Sequence, residues 1–391
     1  MYEYFEGNYT WNMAVCLALG MGAAIGDIDD VSRPLRAVAR NNDDAAAEMW
    51  FAAWGGLGRK LRRLAEADEA KGRKLSAGEK YRRAAIYLVQ AERMQRPGFE
   101  PREKTFAEYL ECFAKFVALT GQNCERVAVP YKGKNLPALL IKAEGVPAGQ
   151  RAPAMVHFDG LDVTKEIIFM LGIPQALARR GVSTLVVDNP GVGESLRLLG
   201  LHNGPDAEVP GGACIDFLEK RPGIDAKRIG IMALSLGGFH APRVAAFEPR
   251  TACAVAWGAQ YDWGDTQRMR AANKNASLPV PHYWDHVGWV FGIDGHDIDA
   301  IVAASSKISL HGILDRITCP IIVIHGENDR QIPLAYAQRV VAECVNSKKA
   351  ELHIMKLADG GAEHCGIDNV APTREVMADW IAETLGGRLG V

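Results

Sequence analysis

The sequence predicts an α/β fold with a mostly parallel sheet, preceded by an all-helical stretch. Three observations carry that expectation. Beyond residue 125, short continuous apolar runs alternate with helical segments, as in strands buried on both faces by crossover helices. Before residue 125, strand signals are almost absent and helical patterning dominates. The chain also carries 40 glycines in 391 residues, a tenth of its length against an average of about 7%. No low-complexity tract or triplet period accounts for them, and many close the apolar runs.

Taken in order, the first apolar stretch runs from Trp11 to Gly26. It is too short for a membrane span, and Glu3 and Glu6 precede it where a targeting segment has basic residues. A buried helix is expected. An alanine-rich apolar pattern then covers Asp43 to Leu64, with Gly55, Gly56 and Gly58 expected to mark a helix boundary. Ser76 and Glu79 have capping-box spacing and lead into a helix over Lys80–Arg96, ended by Pro97 and Gly98. Thr105 to Leu119 supplies another amphipathic helix. The expected domains are 1–125, helical, and 126–391, α/β.

The expected strands are Ala138–Lys142, Ala154–His157, Ser183–Val187, Ile229–Ala233, Ala252–Trp257, Ile321–His325 and Glu351–Met355. Residues 262–310 break the rhythm. They are rich in aromatics and histidine and too long for an ordinary loop, so an insertion covering the sheet is expected.

Composition narrows the function. A net charge of −2 with 24% charged residues excludes a strongly basic nucleic-acid binder and an acidic disordered chain. Eight scattered cysteines without a CxxC pair favour reduced thiols in a cytoplasmic protein. No metal-ligand spacing or phosphate loop occurs, so neither metal nor cofactor is expected.

The strongest chemical signal lies at Ile229–Gly238, where a strand stops at Ser235 and a helix follows. Ala233 and Gly237 keep the flanking positions small, as a sharp strand-to-helix turn that exposes a nucleophile requires. The alternative is an ordinary turn with an exposed serine. Two later segments favour the nucleophile. Asp329 ends an apolar strand, and His364 sits in a glycine-containing loop after the last one. The order Ser, Asp, His is one known arrangement of a catalytic triad. In it Ser235 attacks a carbonyl, His364 carries the proton, and Asp329 orients the imidazole. Glu327 and Glu363 are alternative acids, read as solvated loop charges.

The Leu236 amide, at a helix start, is one expected oxyanion donor, and the Leu161 amide beside Gly160 is the other. His157, inside an apolar strand, reads as a satisfied core histidine, and His240 as packing. Asp188–Ser195 lacks the lysine and full glycine spacing of a phosphate loop and reads as a structural turn at the cleft edge.

Together these segments resemble the α/β-hydrolases grouped with bacterial 2,6-dihydroxypseudooxynicotine hydrolase, fungal polyketide chain-shortening hydrolases and fermentation–respiration switch esterases. The resemblance rests on Gly78–Tyr87, Asp159–Glu166, Asp188–Ser195, the Ser235 turn, Glu248–Arg250, Trp257–Gly258 and the Asp329 and His364 loops. It implies an α/β-hydrolase fold with an N-terminal helical cap that helps enclose the site and a lid at 262–310. It also implies a possible homodimer. Some members of the group cleave carbon–carbon bonds next to a ketone, and others are esterases. The nicotine-pathway member uses an extra acid in its lid, where Asp262 and Asp265 are the nearest carboxylates here.

The expected substrate is a small carbonyl compound bearing an aromatic ring or polyketide-like chain, contacted by Gly160, Asp262, Asp265, Tyr283 and Trp284. Cleavage of a carbon–carbon bond next to a ketone is the leading expectation. Ester or lactone hydrolysis is the alternative, and a non-catalytic binding protein on the same scaffold is a third. No nucleic acid or membrane partner is expected.

Overall fold

Branched apolar side chains at the strand positions, with glycine or acid at their ends, produce one eight-stranded sheet in the computed structural model. The structure describes residues 1–41, 43–273 and 278–390. It divides into two compact units, Met1–Cys124 with Ser277–His286, and Glu125–Ala276 with Val287–Val391.

The first unit is helical. Helices α1 (Tyr9–Gly20), α2 (Ile25–Ser32), α3 (Asp44–Ala70), α4 (Lys74–Arg93) and α5 (Pro101–Thr120) follow in order. Asp43 caps α3 by accepting from the Ala46 amide at 2.8 Å. Phe5, Trp11, Trp50, Trp54 and Tyr87 form a continuous buried aromatic cluster, with Trp50 stacked on Trp54 at 4.5 Å between centroids. Tyr283 and Trp284 belong to this unit's second segment and meet edge to face at 5.2 Å.

Two expectations fail here. Gly55, Gly56 and Gly58 lie inside α3 and end nothing. A β-carbon on Gly58 would stand 2.7 Å from Leu88 Cγ and 3.2 Å from the Ala84 carbonyl, so that glycine lets α3 and α4 approach. The Ser76–Glu79 box is no cap either. Helix α4 starts two residues earlier, at Lys74, without a side-chain cap, and Glu79 instead pairs with Arg82 at 3.0 Å.

The second unit carries the sheet: β1 (Glu125–Tyr131), β2 (Lys134–Ile141), β3 (Ala152–Phe158), β4 (Ser183–Val187), β5 (Ile224–Leu234), β6 (Ala254–Trp257), β7 (Ile321–Gly326) and β8 (Ala350–Met355). Their order is β1-β2-β4-β3-β5-β6-β7-β8. Strand β2 pairs antiparallel with both β1 and β4, and every other pairing is parallel. Strand β1 escapes a search for apolar runs because it is an edge strand of alternating, largely solvated residues. The interior strands β3, β4 and β7 are buried along their whole length, as strands covered on both faces must be.

Between the strands lie α6 (Lys165–Met170), α7 (Ile173–Arg179), α8 (Gly193–Arg197), α9 (Glu208–Glu219) and α10 (Gly237–Phe247). The 262–310 segment forms α11 (Trp263–Ala272), α12 (Tyr283–Phe291) and α13 (Ile298–Ser305). Residues 274–277 of that segment lie outside the described residues. Helices α14 (Leu334–Glu343) and α15 (Val370–Leu385) complete the chain. Among the described residues no helix is long and apolar enough to cross a membrane.

The register aligns the strand ends. Phe158 is level with Ala233, Leu234 with Trp257, and Trp257 with Ile324. The carboxyl ends of β3, β5, β6 and β7 therefore meet along one edge, where open α/β sheets keep their sites.

Candidate active site

Strand β5 ends at Leu234, and Ser235 turns with φ of +60°, a conformation few non-glycine residues adopt. Its amide donates to the Trp257 carbonyl at 2.8 Å, and its carbonyl accepts from the Gly238 amide at 2.8 Å, fixing the turn from both sides. The turn is too tight for side chains nearby. A β-carbon on Gly237 would stand 2.6 Å from Ala233 Cβ and 3.1 Å from the Asp159 carbonyl, and one on Gly238 would strike the Gly258 carbonyl. The small residues at 233, 237 and 238 therefore follow from geometry.

His364 bridges two partners. Its Nε2 lies 2.8 Å from Ser235 Oγ and its Nδ1 2.8 Å from Asp329 Oδ2. The remaining Asp329 oxygen accepts from the Gln331 and Ile332 amides at 2.8 and 3.0 Å, which fixes the carboxylate. The meeting depends on Gly326 at the end of β7. A β-carbon there would stand 2.2 Å from the Ala362 carbonyl and 2.6 Å from that of Glu363. Only a bare backbone lets the histidine loop cross the strand end and reach Asp329.

The electrostatics follow from this arrangement. Burial pulls the His364 imidazole down, but the Asp329 charge and hydrogen bond, together with the adjoining Cys365 sulfur, outweigh it and hold His364 well above its ordinary value. Burial pushes Asp329 up, and the His364 charge more than reverses it, so the carboxyl stays below its ordinary value. One ring nitrogen is thus tied to an acid and the other faces a hydroxyl. Such a chain can accept a proton from Ser235 and hold the resulting imidazolium.

Leu236 is the N-cap of α10, and the Gly238 and Phe239 amides that follow donate to the Ser235 and Leu236 carbonyls. Gly160 lies against Ser235: a β-carbon there would be 2.9 Å from Ser235 Cβ and 3.4 Å from its Oγ. Leu161 follows in the same turn and is buried. The 262 and 265 carboxylates are engaged elsewhere. Asp262 caps α11 through the Asp265 amide at 2.7 Å, and its other oxygen lies 3.1 Å from His311 Nε2 and accepts from Ser309 Oγ at 3.3 Å. Asp265 accepts from Tyr336 Oη at 2.6 Å.

Two further readings need correction. Glu363 is buried, not solvated, and accepts from Asn328 Nδ2 at 2.7 Å and Arg330 Nη2 at 3.3 Å. His157 is buried but not satisfied, since neither ring nitrogen has a partner among the described residues. Its apolar strand signalled burial and gave no sign of the missing partners. Glu327 is exposed and accepts from the Leu357 amide at 2.9 Å. His240 packs edge-on against Phe158 and Phe239. The sequence did not single out Cys365, whose Sγ lies 3.7 Å from His364 Nε2 with backbone φ of +51°. Among the described residues no cluster of three or more potential ligands could hold a metal.

Comparison with known proteins agrees with this architecture. Residues 155–378 match the profile of the alpha/beta hydrolase family. The chain is 29% identical over 336 residues to 2,6-dihydropseudooxynicotine hydrolase of Paenarthrobacter nicotinovorans, covering 86% of this chain and 84% of that one. It is 25% identical over 377 residues to 20-hydroxy-prefusarin hydrolase FUS2 of Gibberella moniliformis, covering 87% and 89%. The crystal structure of 2,6-dihydroxy-pseudo-oxynicotine hydrolase superimposes with a TM-score of 0.76 at 26% identity, over 95% of each chain. With the sheet order, the family match over 155–378 and relatives named as hydrolases, this chain is an enzyme of the alpha/beta hydrolase family.

Proposed function

We infer that this enzyme uses Ser235 as nucleophile, His364 as base and acid, and Asp329 as the imidazole's partner, to cleave a carbon–carbon bond next to a ketone. The observation that carries the reading is the pair of 2.8 Å contacts through which His364 joins Asp329 to Ser235. Ser235 Oγ attacks the ketone carbonyl as its proton passes to His364 Nε2. The oxyanion is held by the Leu236 and Leu161 amides, where a pair of such donors is worth several kcal/mol, roughly 3–4 for each. Collapse breaks the carbon–carbon bond, and the departing carbon takes the proton from His364. A water, deprotonated by His364, then releases the carboxylic acid and restores Ser235.

A carbanion leaves only if something stabilises it. A hydroxylated ring or a second carbonyl does so, and the relatives named for 2,6-dihydropseudooxynicotine and 20-hydroxy-prefusarin support a ring-bearing or polyketide-like substrate. One observation favours a second reading. The carboxylates of Asp262 and Asp265 are tied to His311, Ser309 and Tyr336, so neither is aimed at a leaving carbon. Ester or lactone hydrolysis needs no such acid, because an alkoxide departs once His364 protonates it. The eight scattered cysteines suit a reducing, cytoplasmic compartment.

The test is a panel of hydroxyaryl ketones and β-diketones run beside 4-nitrophenyl esters. Turnover of a ketone that is lost in Ser235→Ala supports the leading reading. Ester turnover with no ketone cleaved replaces it with the second. A fluorophosphonate that fails to label Ser235 in folded protein removes both.

A further inference from the structure

The turn that carries Gly160 and Leu161 is fastened at both ends to one dipeptide, Asp188-Asn189. At its start, Asn189 Oδ1 accepts from the Asp159 amide at 2.8 Å. At its end, Asp188 Oδ1 accepts from the Lys165 amide at 3.0 Å, and Asp188 Oδ2 meets Lys165 Nζ at 2.7 Å. Lys165 is fully buried, and its ammonium also lies 2.6 Å from Glu194 Oε1 and 2.6 Å from Glu166 Oε1. Glu194 is held from outside by Arg126 at 2.6 Å, and its amide donates to Asp188 Oδ2 at 2.8 Å. The cluster leaves no room for a side chain at 193. A β-carbon on Gly193 would stand 2.1 Å from Asp188 Cγ, and φ there is +49°.

So costly a buried ion cluster asks for a reason other than stability. Desolvating an ammonium and several carboxylates offsets much of their attraction, and apolar replacements of such groups are often neutral or stabilising. What the cluster supplies is a fixed place for the turn. A β-carbon on Gly160 would fall 2.9 Å from Ser235 Cβ, so the turn lies against the serine and any shift of it changes where its amides point relative to the Ser235 adduct. Burial, reinforced by Asp188 and Glu166, pushes the Asp159 carboxyl well above its ordinary value.

We propose that Lys165, through Asp188 and Asn189, is a positioning residue that sets the Gly160–Leu161 turn as the second oxyanion donor. The proposal rests on the reading of Ser235 as nucleophile. It gives Asp159–Glu166 and Asp188–Ser195 a single joint role.

An aryl trifluoromethyl ketone and its methyl ketone counterpart test it. The fluorinated ketone adds Ser235 Oγ to its carbonyl carbon. The carbonyl π bond becomes an alkoxide, and the hydroxyl proton passes to His364. The methyl ketone binds without that adduct. The ratio of their inhibition constants, read as slowed fluorophosphonate labelling of Ser235, therefore reports the oxyanion donors. The variants are Asn189→Ala, Lys165→Met and the charge-compensated Lys165→Met/Glu194→Gln, each checked by thermal melting.

The expected result is a loss of roughly 10–100-fold in fluoroketone affinity with under about threefold change for the methyl ketone. The pH limb of labelling should stay in place, because the His364–Asp329 arm is untouched. An unchanged ratio in folded variants overturns the proposal. Should the Lys165 variants not fold, Asn189→Ala decides alone, in the same two directions. Wild-type protein that takes neither the fluorophosphonate nor the fluoroketone overturns the nucleophile reading and this proposal with it.

Discussion

Gly160 and Ser235 stand so close that one added methyl group at position 160 would fall 2.9 Å from Ser235 Cβ and 2.9 Å from the Leu234 carbonyl. Both obstacles belong to the sharp turn after β5, which cannot yield without moving the hydroxyl. Gly160→Ala should therefore slow fluorophosphonate labelling of Ser235 by roughly 10–100-fold, the order expected when a reacting group is misplaced by about an ångström. Far-ultraviolet dichroism should be unchanged. Labelling at the wild-type rate would show that the turn retreats without disturbing the site.

His364 and Asp329 give a pH prediction with a definite sign. Burial lowers the imidazole's proton affinity, and the Asp329 charge, foremost among the groups that raise it and joined by Cys365, leaves the folded value well above the ordinary one. The base acts only when neutral, so the labelling rate of Ser235 should fall on the acid side with a limb above the usual histidine range. Asp329→Asn removes the raising charge, and the limb should move to lower pH. The plateau should fall by roughly 10³–10⁴-fold, as when an asparagine imposes the wrong tautomer. For stability, the raised His364 contributes fully below its unfolded value, and this contribution is lost as pH rises through the folded one. The depressed Asp329 reports the same contact from the other side, its contribution being lost as pH falls through its folded value. A limb that does not move in Asp329→Asn would remove the acid from this role.

How much could be read from the sequence depends on whether a signal was local. Ser235 was legible because the elbow needs small residues at fixed offsets, and Ala233 and Gly237 are those residues. The interior strands were legible because burial on both faces leaves an unbroken apolar run. Strand β1 was not, since a solvated edge alternates and borrows its pairing from β2. The crossing of the histidine loop over Gly326 and the Lys165 cluster were also hidden. Each depends on segments distant in sequence, Lys165 with Asp188 and Gly326 with Ala362, meeting in space, which no local spacing encodes.

Helix α3 contains a pair of glycines with opposite expected effects. Gly56 is exposed, mid-helix, with nothing within 4 Å of an added β-carbon, whereas Gly58 faces Leu88 Cγ at 2.7 Å. Gly56→Ala should stabilise by about 0.5–1 kcal/mol, since it removes backbone entropy from the unfolded chain at no steric cost. Gly58→Ala should lose more than it gains, a net cost of about 1–2 kcal/mol as α3 and α4 are forced apart. Urea titration of both variants separates them. Equal effects would mean that the helix pair adjusts freely at Gly58.

His157 sits at the centre of the sheet between β4 and β5, paired in register with Val186 and Met232 and with no exposed surface. Neither ring nitrogen finds a partner among the described residues, so the fold carries an unanswered donor and an unanswered acceptor. Each such group costs about 1–3 kcal/mol. Burial also pushes the imidazole down to about 3, so the unfolded chain binds a proton that the folded chain refuses. The penalty therefore grows as pH falls below the ordinary histidine value, by about 1.4 kcal/mol per pH unit. His157→Leu removes both polar atoms at similar volume. It should raise stability at pH 7 by roughly 2–6 kcal/mol, and by more at pH 5. Urea titration at the two pH values measures this gain and its slope. A destabilised variant, or a gain that does not grow on acidification, would mean that a bound water or a rearranged neighbour satisfies the ring.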